Sequence, residues 1–141
     1  MNKIELNNLG IQKLTEQDIL DYCLINNIKP DKILILDLSS NKLTDISVIK
    51  LFKNLENLNI SFNKIKDISV LKDLNKLEYL NISDNNITDI SVLKDLNNII
   101  NLDIFNLKLG SDQIQYINSL NNLRILYQDC FPEYLLKYYK K

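Results

Sequence analysis

Apolar residues recur along the middle of the chain at a fixed interval of 22 positions. Leu55, Leu58, Ile60, Ile65, Ile68, Leu71 and Leu74 return as Leu77, Leu80, Ile82, Ile87, Ile90, Leu93 and Leu96, in LENLNISFNKIKDISVLKDLNK and then LEYLNISDNNITDISVLKDLNN. Upstream, Ile33, Leu36, Leu38, Leu43, Ile46 and Ile49 fit the same frame. A strict period of this length marks stacked slices, each of which buries its apolar side only against its neighbours. Pairs such as Leu58 and Ile60 predict a short strand in each slice, because side chains of a strand alternate with a period of two. Strands of successive slices then pair in parallel about 4.8 Å apart.

Both ends of the array diverge. Ile4, Leu6, Leu9, Ile11 and Leu14 imitate the strand half of a coil, and the stretch that follows is too long for one period. Thr15, with an acid three residues on and then Ile19, Leu20, Cys23 and Leu24, predicts a capped helix from about residue 16 to residue 26, ended by Asn27-Ile28-Lys29-Pro30. That helix is expected on the side away from the strands, covering the first end of the core. Downstream, Ile99, Leu102, Ile104 and Leu109 open another coil, and a last strand is expected around Leu123-Arg124-Ile125-Leu126, with Ile114, Ile117 and Leu120 behind it. Pro132 then opens a predicted short helix in which Leu135, Leu136 and Tyr139 close the core. The chain therefore reads as one domain over 1–141: a divergent coil with a helix cap (1–32), three regular repeats (33–98), divergent coils (99–128) and a C-terminal helix cap (129–141).

Two polar columns keep phase with the apolar ones. Asn41, Asn63 and Asn85 follow the strands, where the chain turns and leaves backbone amide and carbonyl groups inside; a carboxamide supplies both donors and an acceptor, so these residues are expected to form a structural ladder. Asp45, Asp67 and Asp89 each precede Ile-Ser and a short helical turn, which suits capping of free N–H groups rather than a metal site. The whole pattern, L-x-x-L-x-L-x-x-N-x-L followed by x-D-I-S-x-L-x-x-L, resembles the leucine-rich repeat family, and within it the 22-residue class of internalins and phosphatase-regulator proteins. The resemblance implies an α/β fold: a right-handed solenoid with a parallel sheet on its concave face, short helical turns on its convex face and helical caps at both ends.

Composition narrows the chemistry. Seventeen Lys and Arg against 18 Asp and Glu give a formal net charge of −1, which offers no bulk attraction to nucleic acid or to an anionic membrane. No His is present, which removes Ser-His-Asp and Cys-His nucleophile systems, and two glycines cannot build a phosphate-cradling loop. No cofactor, no metal site and no catalytic residue is expected. Cys23 and Cys130 sit at opposite ends of the array, too far apart to bridge, and read as small buried hydrophobes of a reducing compartment. There is no bilayer-length apolar run, and Met1-Asn2-Lys3-Ile4-Glu5 lacks the basic-then-apolar layout of a signal peptide, so the expected location is cytoplasmic.

Candidate binding residues come from the strand positions that face away from the core. One such column runs Lys3, Ile35, Asn57, Tyr79, Asn101, Ile125 and the next runs Glu5, Asp37, Asn59, Asn81, Asp103, Tyr127. A third is read as Asn7, Ser39, Ser61, Ser83, Phe105, Asp129, edged by Ser40, Phe62, Asp84 and Asn106. Outward strand positions have no core reason to be aromatic, yet Phe62, Tyr79, Phe105 and Tyr127 all fall here. Aromatic anchors among small polar and acidic groups characterise protein-binding surfaces, and the alternative is that the two Phe residues only cover the rim of the core. The expected site comprises Asp37, Asn59, Phe62, Tyr79, Asn81, Asp84, Asp103, Phe105 and Tyr127, facing a protein or peptide of basic character. The expected function is a monomeric, non-catalytic interaction module that binds no small-molecule substrate. A regulatory subunit of an enzyme such as a protein phosphatase is the alternative that the resemblance implies, and a surface adhesion or virulence role a third.

Overall fold

The computed structural model describes residues 2–131. Six three-residue strands, β1 (Lys3–Glu5), β2 (Ile35–Asp37), β3 (Asn57–Asn59), β4 (Tyr79–Asn81), β5 (Asn101–Asp103) and β6 (Ile125–Tyr127), form one parallel sheet in sequence order. Lys3, Ile35, Asn57, Tyr79, Asn101 and Ile125 lie side by side, as do Glu5, Asp37, Asn59, Asn81, Asp103 and Tyr127. The central residues between them, Ile4, Leu36, Leu58, Leu80 and Leu102, are buried, and Leu126 is half-buried. This is the leucine-rich repeat solenoid expected from the periodicity.

The opposite wall is built from 3₁₀ turns. Ser47–Leu51, Ser69–Asp73 and Ser91–Asp95 occupy equivalent places in three successive coils. Their apolar residues stand three apart, as Ile68, Leu71, Leu74 and Leu77 do, and backbone bonds join Leu71 N to Ile68 O, Leu74 N to Leu71 O and Leu77 N to Leu74 O. A 3₁₀ helix has three residues per turn and eclipses positions i and i+3, so this spacing puts the whole set on one inward face. All four are buried. Asp67 Oδ1 accepts the Ser69 N–H at 2.8 Å, and Asp45 and Asp89 do the same for Ser47 and Ser91. Those bonds hold the carboxyls of Asp67 and Asp89 below the usual carboxylate range.

The first coil is longer because it carries α1 (Glu16–Ile25). The Thr15 hydroxyl accepts from Asp18 N at 3.2 Å, and the Asp18 carboxylate accepts from Thr15 N at 2.7 Å, a reciprocal capping box. Ile19 and Cys23 enter the core from this helix, and Glu16 pairs with Lys50 of the neighbouring turn at 2.6 Å. At the other end α2 (Ile114–Asn118) buries Ile117, and Leu120 follows it into the core. The expected C-terminal helix falls on residues 132–141 and lies outside the described residues.

The carboxamides hold successive coils together. Asn63 Oδ1 accepts from Leu43 N at 2.9 Å, while its Nδ2 donates to the carbonyls of Leu38, Ile60 and Ser61 at 3.0, 3.1 and 3.1 Å. Asn85 repeats this on Ile65 N and on the carbonyls of Ile60, Ile82 and Ser83. Asn41 serves Leu9 N, Ile11 N and the carbonyls of Leu6, Leu38 and Ser39. The Leu38 and Ile60 carbonyls thus each accept from two side chains of adjacent coils. Where the next Asn would stand, Leu107 is buried instead, and Gln113 Oε1 accepts from Ile90 N at 2.9 Å.

Candidate partner-binding surface

Strand alternation turns two columns of side chains away from the core, and the parallel register lines them up coil by coil. From β2 to β5 the sheet carries Ile35, Asn57, Tyr79 and Asn101 in one column and Asp37, Asn59, Asn81 and Asp103 in the next. Asp37 and Asp103 are three coils apart, roughly 14 Å at ordinary strand spacing, so the acids make a row and not a cluster. Tyr79 is half-buried among its neighbours, whereas Tyr127 is 58% exposed on the last strand. Ile35 and Ile125 add apolar surface to the Tyr79 column at either end and complete a stripe whose aliphatic members the sequence reasoning passed over in favour of the aromatic ones.

The second column is partly committed to the backbone. Oδ1 of Asp37, Asn59, Asn81 and Asp103 accepts the N–H two residues on, at 2.9, 3.1, 3.0 and 3.0 Å. In two coils the Ser61 and Ser83 hydroxyls also donate to that oxygen at 2.7 Å. Each side-chain oxygen therefore ends its strand by mimicking a turn, which leaves the carboxamide nitrogens of Asn59 and Asn81 and the second oxygens of Asp37 and Asp103 as the groups that can meet a ligand.

These bonds correct the reading of the third column. Ser39, Ser61 and Ser83 are buried and do not project from the sheet. The Ser61 and Ser83 hydroxyls lie against the side-chain oxygens of Asn59 and Asn81, so these small side chains are covered instead of projecting. Phe105 stands at the equivalent place and, being larger, is 50% exposed. One residue later the backbone is left-handed in the first five coils, at Asn8, Ser40, Phe62, Asp84 and Asn106. Phe62 is 58% exposed there, so the two phenylalanines lie along one lip of the sheet rather than sealing the core.

The lip is acidic. Asn106 Nδ2 donates to Asp84 Oδ1 at 2.6 Å, and Asn106 N donates to Asp129 Oδ1 at 2.9 Å. Burial pushes the Asp103 carboxyl above its ordinary range against the pull of the Phe105 N–H, and the nearby Asp84 charge raises it further. At the opposite end of the sheet Lys3 pairs with Glu5 at 2.6 Å, beside a shallow cavity of about 270 Å³ lined by Ile35, Asp37, Asn57, Asn59 and Tyr79. Among the described residues no three His, Cys, Asp or Glu side chains stand close enough to hold a metal ion.

Two features lay beyond the sequence reading. A second set of polar links runs along the far edge of the coils: Asn54 Nδ2 donates to Asp31 O, Lys76 Nζ to Asn54 Oδ1, Asn98 Nδ2 to Asn75 O and Asn122 Nδ2 to Asn97 O. Its signal was the spacing of 54, 76, 98 and 122 by 22, 22 and 24 residues. The other feature is the outer face of α1, where Leu20, Leu24 and Ile25 are exposed.

Comparison with known proteins agrees with this architecture. Family models for leucine-rich repeats match residues 31–73, as two copies, and 73–94. An internalin of Listeria monocytogenes, InlF, is similar in structure with a TM-score of 0.76 and 29% identity, over 98% of this chain and 39% of that one. A leucine-rich repeat protein of Leptospira interrogans follows at 0.75 and 23%, over 94% of this chain and 33% of its own. The functional domain of InlJ from Listeria monocytogenes, which includes a cysteine ladder, matches at 0.66 and 19%, over 92% and 30%. The chain thus spans about two-fifths or less of the length of these three structures. No curated protein matches it. No helix of the described residues is long and apolar enough to cross a membrane. With the repeat signature, the stacked parallel coils and the repeat-model matches in agreement, the chain carries leucine-rich repeats and folds as a leucine-rich repeat solenoid.

Proposed function

We propose that the chain is a non-catalytic interaction module that binds a protein or peptide partner on its concave strand face. The observation that carries this reading is the exposure of Phe62, Phe105 and Tyr127 beside Tyr79 on the same side of one sheet, among outward Asn and Asp. Aromatic side chains supply large contact areas at low entropic cost, and the amides of Asn59 and Asn81 and the acids Asp37, Asp84 and Asp103 supply orientation and a preference for a basic partner. Six strands make a face roughly 25–30 Å long, enough for about 800 Å² on one side of a standard interface. A broad, open face excludes little water, which suits recognition better than catalysis. Cytoplasmic location, a monomeric state and the absence of a small-molecule substrate belong to the same reading.

The test is the double substitution Tyr79→Ser and Phe105→Ser. Circular dichroism should be unchanged, because neither ring is fully buried, and partners that co-purify with the unaltered chain should be lost. Undiminished recovery would place the interface elsewhere.

The similarity to InlF favours one second reading, an adhesion module of internalin type. Surface labelling of intact native cells separates the two, since only the adhesion reading requires the protein to be reached from outside.

A further inference from the structure

We infer that the lip formed by Phe62, Asp84 and Phe105 is a clamp for a single arginine side chain of the partner. The clamp rests on the concave-face reading and specifies the chemistry of its anchor point. The left-handed position after each of the first five strands is filled by Asn8, Ser40, Asp84 and Asn106 in four coils, all short polar residues, and by Phe62, at φ 53°, in the remaining one. A bulky residue there is an outlier in backbone preference. Burial does not compensate it, because the ring is 58% exposed. Phe105, 50% exposed, occupies a place that a buried serine fills in three other coils.

Asp84 lies in the coil between the two phenylalanines. Phe62 N donates to Ser83 O at 3.1 Å and Asp84 N donates to Phe105 O at 3.0 Å, so the lip runs in consecutive coils from Phe62 through Asp84 to Phe105. The two rings start two coils apart, roughly 10 Å. A cation midway between them lies roughly 5 Å from each, inside the reach of about 6 Å over which an aromatic face attracts it. Asn106 holds one oxygen of the Asp84 carboxylate, and the other remains for a ligand. The ion pairs among the described residues join Lys3 to Glu5, Lys32 to Asp31 and Lys50 to Glu16, leaving Asp84 without a cation. Asp103 lies close enough for the charge of Asp84 to raise its carboxyl, so an incoming cation relieves a repulsion as well as making a bond. Planar, weakly hydrated guanidinium stacks on aromatic faces and pairs with carboxylate better than a compact ammonium does, which selects arginine.

A titration of the ¹⁵N-labelled full chain with N-acetyl-arginine amide, and in parallel with its uncharged isostere N-acetyl-citrulline amide, tests the clamp without knowledge of the partner. Saturable shifts are expected at the amides of Phe62, Asp84, Phe105 and Asn106, with half-saturation on the order of 10 mM for arginine and at least about fivefold weaker binding of citrulline. Asp84→Asn should abolish the difference between the two probes. Phe62→Asn, which suits the left-handed backbone, should weaken arginine alone. Equal responses to both probes, shifts confined to other residues, or no response to arginine up to roughly 100 mM overturn the clamp. If partners are still lost on Tyr79→Ser and Phe105→Ser in that case, the concave-face reading stands without it. If arginine binds as described and partner recovery is undiminished, the lip takes arginine but not the partner's, and the clamp fails together with the wider face.

Discussion

Replacing the ladder asparagines one at a time by leucine, of similar volume, has an outcome that depends on position. Asn63→Leu removes the acceptor of Leu43 N–H, a donor in the interior. The three carbonyls it serves keep other donors: Leu38 O retains Asn41, Ile60 O retains Asn85 and Ser61 O retains Ser40 N. The cost is therefore one orphaned buried donor, about 1–3 kcal/mol. Asn85→Leu orphans Ile65 N–H in the same way, but Leu107 follows in place of another Asn. Among the described residues no other donor reaches Ile82 O, so that carbonyl is stranded too. An added cost of about 1 kcal/mol is expected, less than for a donor because an under-satisfied carbonyl is better tolerated. Urea denaturation followed by circular dichroism gives both numbers, with the midpoint lower for Asn85→Leu than for Asn63→Leu and an unchanged slope. A neutral Asn63→Leu, or two equal costs, would refute the reasoning from shared carbonyls.

Three further outcomes follow from the same geometry. Thr15→Ala removes the hydroxyl that caps Asp18 N and should cost about 1 kcal/mol in the same denaturation assay. The Asp18 carboxyl, held below its ordinary 3.8 first by the Thr15 hydroxyl and then by the Thr15 N–H, adds stability present above that value and lost as pH falls through the lowered one, a dependence that Thr15→Ala should flatten. Asp103 behaves oppositely: its folded-state carboxyl binds a proton more tightly than the unfolded one, so its contribution falls as pH rises from 3.8 through the raised value. Carboxyl-detected NMR should place its titration above 3.8, and Asp84→Asn should bring it down; no movement would separate the two acids. Cys23 is buried and Cys130 half-buried, both free and both with thiols pushed up by burial. Iodoacetamide should label both more slowly than in urea, Cys23 the slower, and rapid native labelling of Cys23 would mean that α1 does not pack as described.

Much of the fold was legible because one period governed it. With Leu55 and Leu77 in phase, the pairing of Asn57 with Tyr79 and Asn59 with Asn81 followed by counting, and only the longer first coil and the stretched last one needed local signals. Thr15 and Asp18 supplied the first of these through their reciprocal cap. The turn geometry beyond each strand was harder to read. Ser61 and Ser83 project by alternation, yet their hydroxyls are tied to the side-chain oxygens of Asn59 and Asn81 and both residues are buried. Left-handed backbone at Phe62 has no signal in a bulky residue, because the other coils advertise that place with Asn, Asp or Ser. Gln113 takes up the Ile90 N–H from outside the repeat frame, so no column could announce it. The 3₁₀ turns, by contrast, were written in the interval of three between Ile68, Leu71, Leu74 and Leu77.

Hydroxyl-radical footprinting, read residue by residue by mass spectrometry on the full chain alone and with its captured partner, tests the proposed use of the strand face most directly. Phe62, Phe105 and Tyr127 should oxidise readily in the free chain and be protected together with Tyr79 in the complex, while Phe52, with no exposed surface, stays unreactive in both. Protection confined to Leu24 and Ile25 on α1, with the aromatic side chains reacting equally in both states, would contradict it.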